Sequence, residues 1–183
     1  MSVIIFQKIV TLIVTFLFVE EIIMIVFNTD RLIVRNFIDE DIDTLHAYRN
    51  DPECARYQIW KVRDKEGLKD FIKDVKNKKV GDDYTQLAIT LKENNRHIGD
   101  LYIAKKGACV TIGYTISRPY QHNGYGIEVV SKLVAYIKEK LGKVEIVAMI
   151  DKDNSASINL INKLKFTNEG YNKVVDSLIF SLK

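Results

Sequence analysis

The chain has 183 residues, 47% hydrophobic and 28% charged, with a net charge of +3 at pH 7. That length and mixture describe one ordinary globular domain with a full apolar core, and exclude disordered, collagen-like and disulfide-stapled classes. The positive charge is small and has no polybasic run, which argues against nucleic acid as a partner.

Cys54 and Cys109 stand far apart, without a Cys-x-x-Cys pair, and His46, His97 and His122 are scattered. They read as reduced thiols and isolated imidazoles of a cytoplasmic protein, with no metal site. The first segment is unusual. Residues 3–19 (VIIFQKIVTLIVTFLFV) are apolar apart from Gln7, Lys8 and two threonines, and Glu20-Glu21 follows. A secretory signal would need a basic start and a small-x-small cleavage site, both missing. Residues 1–23 therefore admit three readings: a leader translated from a misassigned start, with Met24 the true first residue; an extra N-terminal helix; or a membrane anchor. A span of about 17 residues is at the short end of what crosses a bilayer, and Lys8 lies inside it. Residues 24–183 then form the working domain.

Met24 opens MIVFNTDRLIVRNF, and Arg31–Phe37 mixes β-branched and polar residues as a strand does. Asp39 is a candidate N-cap for a helix through Arg49, with Ile42, Leu45 and Tyr48 on one face and Asp51-Pro52 as its stop. A second helix is predicted from about Asp64 to Lys79, turning Leu68, Phe71, Ile72 and Val75 inward. Two strands, 84–91 and 97–105, flank a polar turn at 92–96, and a third covers 109–117. A long helix runs to Leu141, with Ile127, Val130, Val134, Ile137 and Leu141 at helical spacing and Gly142 as its C-cap. A short buried strand at 144–150, a helix at 155–165 and a closing strand from 166 to 182 complete a mixed α/β order with an antiparallel meander in the middle.

The stretch RPYQHNGYGIEVV, residues 118–130, places Gly124 and Gly126 where polar turn residues give way to the long helix. The first amides of a helix lack intrahelical partners, and the helix dipole adds partial positive charge there. Glycines at that point leave the amides open to a phosphate or diphosphate. An isolated Gly-x-Gly is more commonly a plain helix start, and two stronger phosphate motifs are excluded. No Gly-Lys-Ser/Thr follows, and Val129 stands where a dinucleotide fingerprint needs its third glycine.

Several motifs in order along the chain decide between these readings: Thr29-Asp-Arg-Leu-Ile-Val-Arg35, Ile98-Gly99, Ile112-Gly113-Tyr114, Tyr120-Gln121-x-x-Gly-Tyr-Gly126 with Glu128, and Asn154-x-x-Ser157 leading to Lys163-Leu-x-Phe166. In these the chain resembles the GNAT superfamily of acyl-CoA N-acyltransferases, in its RimJ/RimL-like branch. The resemblance implies a mixed, mostly antiparallel central sheet with a splayed strand pair and flanking helices. It implies acetyl-CoA as co-substrate, with the segment Gln121, His122, Asn123, Gly124, Tyr125 and Gly126 gripping its diphosphate. Main-chain groups near Thr115 and Ile116 would hold pantetheine, as would Asn154 and Ser157. The acceptor would be a small-molecule amine or a protein N-terminus, with Arg56, Tyr57, Gln58 and Trp60 in the acceptor wall. No metal, nucleic acid or membrane is implied, and the branch is compatible with a homodimer.

The chemistry implied is attack of a neutral amine on a thioester. An alkyl ammonium, with a pKa of about 10.4, must first lose a proton, and the departing thiolate is eased by a proton donor. Many relatives place a tyrosine for that donor where this chain has Ile161, which makes Ser157 the candidate here. Asp100 and Asp176 are candidate bases and Tyr114 a candidate cleft residue. Two other readings stay open: a non-catalytic acyl-CoA-binding module, and a membrane-anchored acyltransferase resting on residues 3–19.

Overall fold

The computed structural model describes residues 23–60 and 64–183. The leader reading of residues 1–23 falls, apart from Ile23, outside them. Among the described residues, eight strands form one sheet in the order β1-β2-β3-β4-β5-β6-β8-β7. They are β1 (Ile25–Asn28), β2 (Leu32–Arg35), β3 (Tyr84–Leu91), β4 (His97–Lys106), β5 (Cys109–Ile116), β6 (Glu145–Ile150), β7 (Thr167–Asn172) and β8 (Ser177–Leu182). Every neighbouring pair is antiparallel except β5–β6. The helices are α1 (Ile42–Arg49), α2 (Pro52–Ala55), α3 (Lys65–Val75), α4 (Tyr125–Leu141) and α5 (Ser155–Lys163).

Alternation along the strands feeds two cores on opposite faces of the sheet. Leu87 and Ile89 of β3 join the main core with Leu101, Ile103, Val110 and Ile112, whereas Ala88 joins Phe37, Leu45, Leu68 and Ile72 beneath α1 and α3. Helix α4 packs on the main core through Val129, Val130, Leu133 and Ile137, all fully buried. Each such side chain contributes about 1.5–3 kcal/mol by leaving water. Its N-terminus is thereby held on a rigid base. Ile127, expected in the buried stripe, lies instead at the mouth of a cleft.

Local chemistry explains where the observed elements depart from the sequence reading. The stretch 24–37 breaks into two strands at a turn in which the Leu32 amide donates to the Thr29 hydroxyl at 2.9 Å. Asp39 does not cap α1. A 3-10 turn precedes the helix, and Asp41 reaches back to the Ile38 amide at 3.0 Å while pairing with the buried Arg35 at 2.6 Å. Asp51 caps the short helix α2 through the amides of Glu53 and Cys54. Asp64 caps α3, which ends at Val75 rather than Lys79. The closing segment is a hairpin, not one strand. Its turn uses the Asn172 side chain to accept the Val174 amide at 2.9 Å, so no glycine or proline marks it.

Candidate active site

Strand β5 pairs with β4 as far as Ile116 but with β6 only as far as Ile112, opposite Ala148. Strand β6 meanwhile follows β8 to Ile150. The two central strands therefore part from Gly113 and Met149 onward, and a wedge opens between them. Main-chain groups alternate in direction along an antiparallel pair, and Ser117 donates to Ile98 O at 2.8 Å on the β4 side. Tyr114 and Ile116 consequently direct their amides and carbonyls into the wedge. Gln121 Nε2 donates to the Ile116 carbonyl at 2.9 Å, and Gln58 Nε2 approaches the Tyr114 carbonyl at 3.5 Å. The main-chain groups of Thr115 face β4 instead, and its hydroxyl accepts from Gln58 at 3.1 Å.

After β5 the chain makes a 3-10 turn that takes up the amides of Tyr120 and Gln121, on Ser117 O at 2.9 Å and Arg118 O at 3.2 Å. His122 and Gly124 then adopt left-handed backbone angles, φ +63° and +79°. Among the described residues, the amides from His122 to Ile127 donate to no acceptor; Glu128 closes the first helical turn on Gly124 O at 3.2 Å. Six consecutive donors thus stand free, from His122 through Ile127 rather than from Gln121. The polar side chains of the loop do not fill the space in front of them. Gln121 and Asn123 fold back onto the carbonyls of Ile116, Tyr120 and Gln121.

The two glycines have separate reasons. Gly124 is needed for its left-handed conformation, and a Cβ there would point at Arg31 Nη2, 3.4 Å away. At Gly126 a Cβ would come within 3.1 Å of Leu160 Cδ1, so this glycine lets α4 approach α5.

A cleft of about 470 Å³ joins the loop, the wedge and α5. Asn154 caps α5 by accepting the Ser157 amide at 3.1 Å. Along α5, Ala156, Ser157, Asn159, Leu160 and Lys163 line the cleft. The Tyr114 hydroxyl donates to Ser157 O at 3.4 Å. Burial pushes the Tyr114 phenol up to about 12, against a smaller opposing pull from its hydrogen bond with Ser157. Across the mouth, Tyr57 donates to Asp153 O at 3.2 Å.

The structure thus gathers Thr115, Ile116, Gln121, His122, Gly124, Tyr125, Gly126, Asn154 and Ser157 around one cleft with Tyr57, Gln58 and Tyr114, and Asn123 lies within the same loop. It leaves three candidates elsewhere. Trp60 does not border the cleft; its ring lies 5.2 Å from the Arg49 guanidinium carbon and 6.5 Å from the Tyr48 ring. Asp100 is 1% exposed behind β5, where its carboxylate accepts from the Tyr48 hydroxyl and, at 2.9 Å, from Gln86. Burial, then the Asp100 charge, pushes the Tyr48 phenol far above its ordinary value. Asp176, the other candidate base, accepts from the Tyr171 hydroxyl in the β7–β8 hairpin. Arg56, expected in the acceptor wall, lines the cleft; Glu53 and Lys163 line it too, and sequence reasoning missed them. Lys163 was open to discovery, since it stands two helical turns after Ala156 on one face of α5.

Among the described residues no cluster of His, Cys, Asp and Glu is placed to hold a metal, and no helix is long and apolar enough to cross a membrane. Residues 31–167 match the model of the acetyltransferase (GNAT) domain family. The uncharacterised N-acetyltransferase p20 of Bacillus licheniformis is 31% identical over 84% of this chain and 93% of its own length. The uncharacterised N-acetyltransferase YoaA of Bacillus subtilis is 31% identical over 79% and 84%. In fold, the chain is similar to a GNAT acetyltransferase from Bacillus anthracis (TM-score 0.76, 21% identity, 87% of this chain and 98% of that one). It is likewise similar to RimL, the ribosomal L7/L12 alpha-N-protein acetyltransferase (TM-score 0.76, 17% identity, 88% and 94%). The wedge between β5 and β6 and the open amides of the loop are thus features of a chain that belongs to the GNAT acetyltransferase family, an acyl-CoA-dependent acyltransferase.

Proposed function

We propose that this protein is an N-acetyltransferase that moves an acetyl group from acetyl-CoA to a primary amine, either a protein N-terminus or a small amine. The observation that carries the reading is the run of six free amides from His122 to Ile127 beside the unpaired edge of β5. Unsatisfied main-chain donors are costly unless water or a ligand takes them up, and a diphosphate matches this set in charge and reach. Lys163, at the far end of the α5 face, adds positive charge for the remaining phosphate.

Bound acetyl-CoA supplies the activated acetyl thioester; the residues of the chain bind, align and move protons. The amides of Tyr114 and Ile116 hold the pantetheine arm along β5 and draw the acyl carbonyl toward a main-chain donor. Ser157 and Tyr114, adjacent on the α5 side, keep a proton near the leaving sulfur, and the raised phenol of Tyr114 stays neutral at physiological pH. Tyr57 and Gln58 flank the side from which an amine approaches. Glu53 is the one carboxylate among the described residues lining the cleft, and we assign it uptake of the amine's proton, directly or through water. Aligning two bound reactants accounts for much of the acceleration. A cytoplasmic location is part of the same proposal, as the compartment in which acetyl-CoA would be met.

The test is thiol release from acetyl-CoA across a panel of small amines and N-terminal peptides. Amine-dependent release with a matching acetylated product supports the transferase. The burial of Asp100 away from the cleft favours, as a second reading, a non-catalytic acyl-CoA-binding module; tight coenzyme A binding with no release over the whole panel would establish it.

A further inference from the structure

Arg31 lies in the turn between β1 and β2, 92 residues from the loop it touches. Its Nη1 donates to the Asn123 carbonyl at 3.0 Å. Asn123 is the residue between the two left-handed positions, His122 and Gly124. In a trans peptide the C=O and the following N–H point in opposite directions. Holding the Asn123 carbonyl on Arg31 therefore turns the Gly124 amide away from Arg31. The guanidinium itself is fixed on three sides. Its Nε and Nη2 both meet Glu128 Oε2 at 2.7 Å, and its central carbon lies 4.4 Å above the Tyr125 ring. Glu128 is anchored in turn by the Thr29 hydroxyl at 2.5 Å and the Arg31 amide at 2.9 Å, both on Oε1. A single carboxylate in the first turn of α4 thus ties the β1–β2 turn to the loop.

We propose that Arg31 is a positioning residue that aims the Gly124 amide at the ligand diphosphate, with Glu128 as its anchor; this rests on the coenzyme A reading of the loop. A left-handed non-glycine residue such as His122 persists only where its surroundings hold it, and the Arg31–Asn123 bond is such a restraint. The geometry separates this role from a purely electrostatic one. If Arg31 acted only by its charge, replacing Glu128 with a neutral residue would expose that charge and tighten anion binding. As a fixed fork, it requires Glu128, and the same replacement loosens the loop and weakens binding. Lysine keeps the charge but not the fork, so it does not substitute.

The experiment is calorimetric titration of the folded protein with coenzyme A and, separately, with pantetheine, which lacks the diphosphate. Arg31→Lys and Glu128→Gln should each weaken coenzyme A roughly tenfold, the scale of one charged hydrogen bond. The ratio of coenzyme A to pantetheine affinity should fall by a similar factor. Equal losses on both ligands would mean a general structural role and overturn the proposal, as would unchanged or tighter coenzyme A binding in Glu128→Gln. Should either variant fail to fold, Thr29→Val, which removes one of the hydrogen bonds that anchor Glu128, should show the same selective loss in smaller degree, and its absence there also overturns the proposal. A wild-type protein that binds coenzyme A no better than pantetheine would instead refute the diphosphate reading of the loop.

Discussion

Replacing Gly124 with alanine tests whether backbone conformation, rather than open space, is what the glycine provides. Gly124 sits at φ +79° and ψ 0° as the N-cap of α4. An added Cβ would meet only Arg31 Nη2, at 3.4 Å, an ordinary contact. The cost therefore lies in the left-handed backbone, about 1–2 kcal/mol for a residue with a Cβ. That energy must show in one of two places. If the loop keeps its shape, the folded state carries the strain and the melting temperature drops by about 2–4 °C per kcal/mol. If the loop relaxes to negative φ, the free amides turn from their present aim and coenzyme A must restore them. Its dissociation constant then rises roughly 5- to 30-fold, at 1.4 kcal/mol per factor of ten. Calorimetric titration with coenzyme A, paired with thermal unfolding, reads both. Asparagine visits the left-handed region more readily, so Gly124→Asn should lose clearly less than Gly124→Ala. Alanine and asparagine variants that behave alike, or an alanine variant matching wild type in both assays, would refute the conformational argument.

Gly126→Ala sets a Cβ 3.1 Å from Leu160 Cδ1 against the roughly 0.5–1 kcal/mol that alanine gains over glycine within a helix, so the substitution should stabilise clearly more in a Leu160→Ala background than in the wild type; thermal unfolding of the four proteins checks the coupling. Lys165 holds φ +63° at the end of α5, where its amide donates to Asn162 O and that of Phe166 to Ile161 O, the pattern of a glycine-terminated helix. Lys165→Gly should therefore raise stability by about 0.5–1 kcal/mol, read as a higher melting temperature. Burial works to raise the Glu128 carboxyl, but hydrogen bonds from Thr29 and Arg31 together with the Arg31 charge outweigh it and hold the group below its ordinary 4.5. A depressed carboxyl stabilises the fold fully above its unfolded value and loses that contribution as pH falls through the folded one. Denaturant titrations should show stability falling on acidification below about pH 4.5, with a shallower acid limb in Glu128→Gln.

What could be read from the sequence follows how locally each feature is encoded. Helix α4 carries its own apolar period and its own stop, Gly142 at φ +70°, so both were legible. The polar turn at 92–96 was legible too, and Asn95 takes the left-handed angle there. The β7–β8 turn escaped because Asn172 and Asp176 do the work that glycine usually signals. Short α2 escaped because Pro52 reads equally as a stop for α1 and as the first residue of a new helix. At the site, the amide loop was visible as a motif, but the reason for each glycine was not. Gly126 answers to Leu160, 34 positions away, and Gly124 to a backbone angle that no spacing rule prints. Trp60 went astray for the same reason: an aromatic after a helix has no local cue that selects a cleft over the Arg49 guanidinium.

The parting of β5 from β6 and the placement of the helices are one topological fact. These are the only parallel neighbours among the described strands, so the chain leaves the carboxyl end of β5, crosses through α4 and returns in the same direction. Both strands consequently end at the same edge of the sheet, β5 at Ile116 and β6 at Ile150, and the helix following each one starts there. The N-termini of α4 and α5 therefore flank the wedge from its two sides, and each brings the partial positive charge of a helix start. Ligands of open α/β sheets settle outside the carboxyl ends of strands for this reason. Here the sheet is antiparallel everywhere else, so the geometry arises once, between β5 and β6. On the function proposed above, both helix starts and the unpaired edge of β5 would act together on an anionic cofactor arm whose thioester end runs along Tyr114 and Ile116.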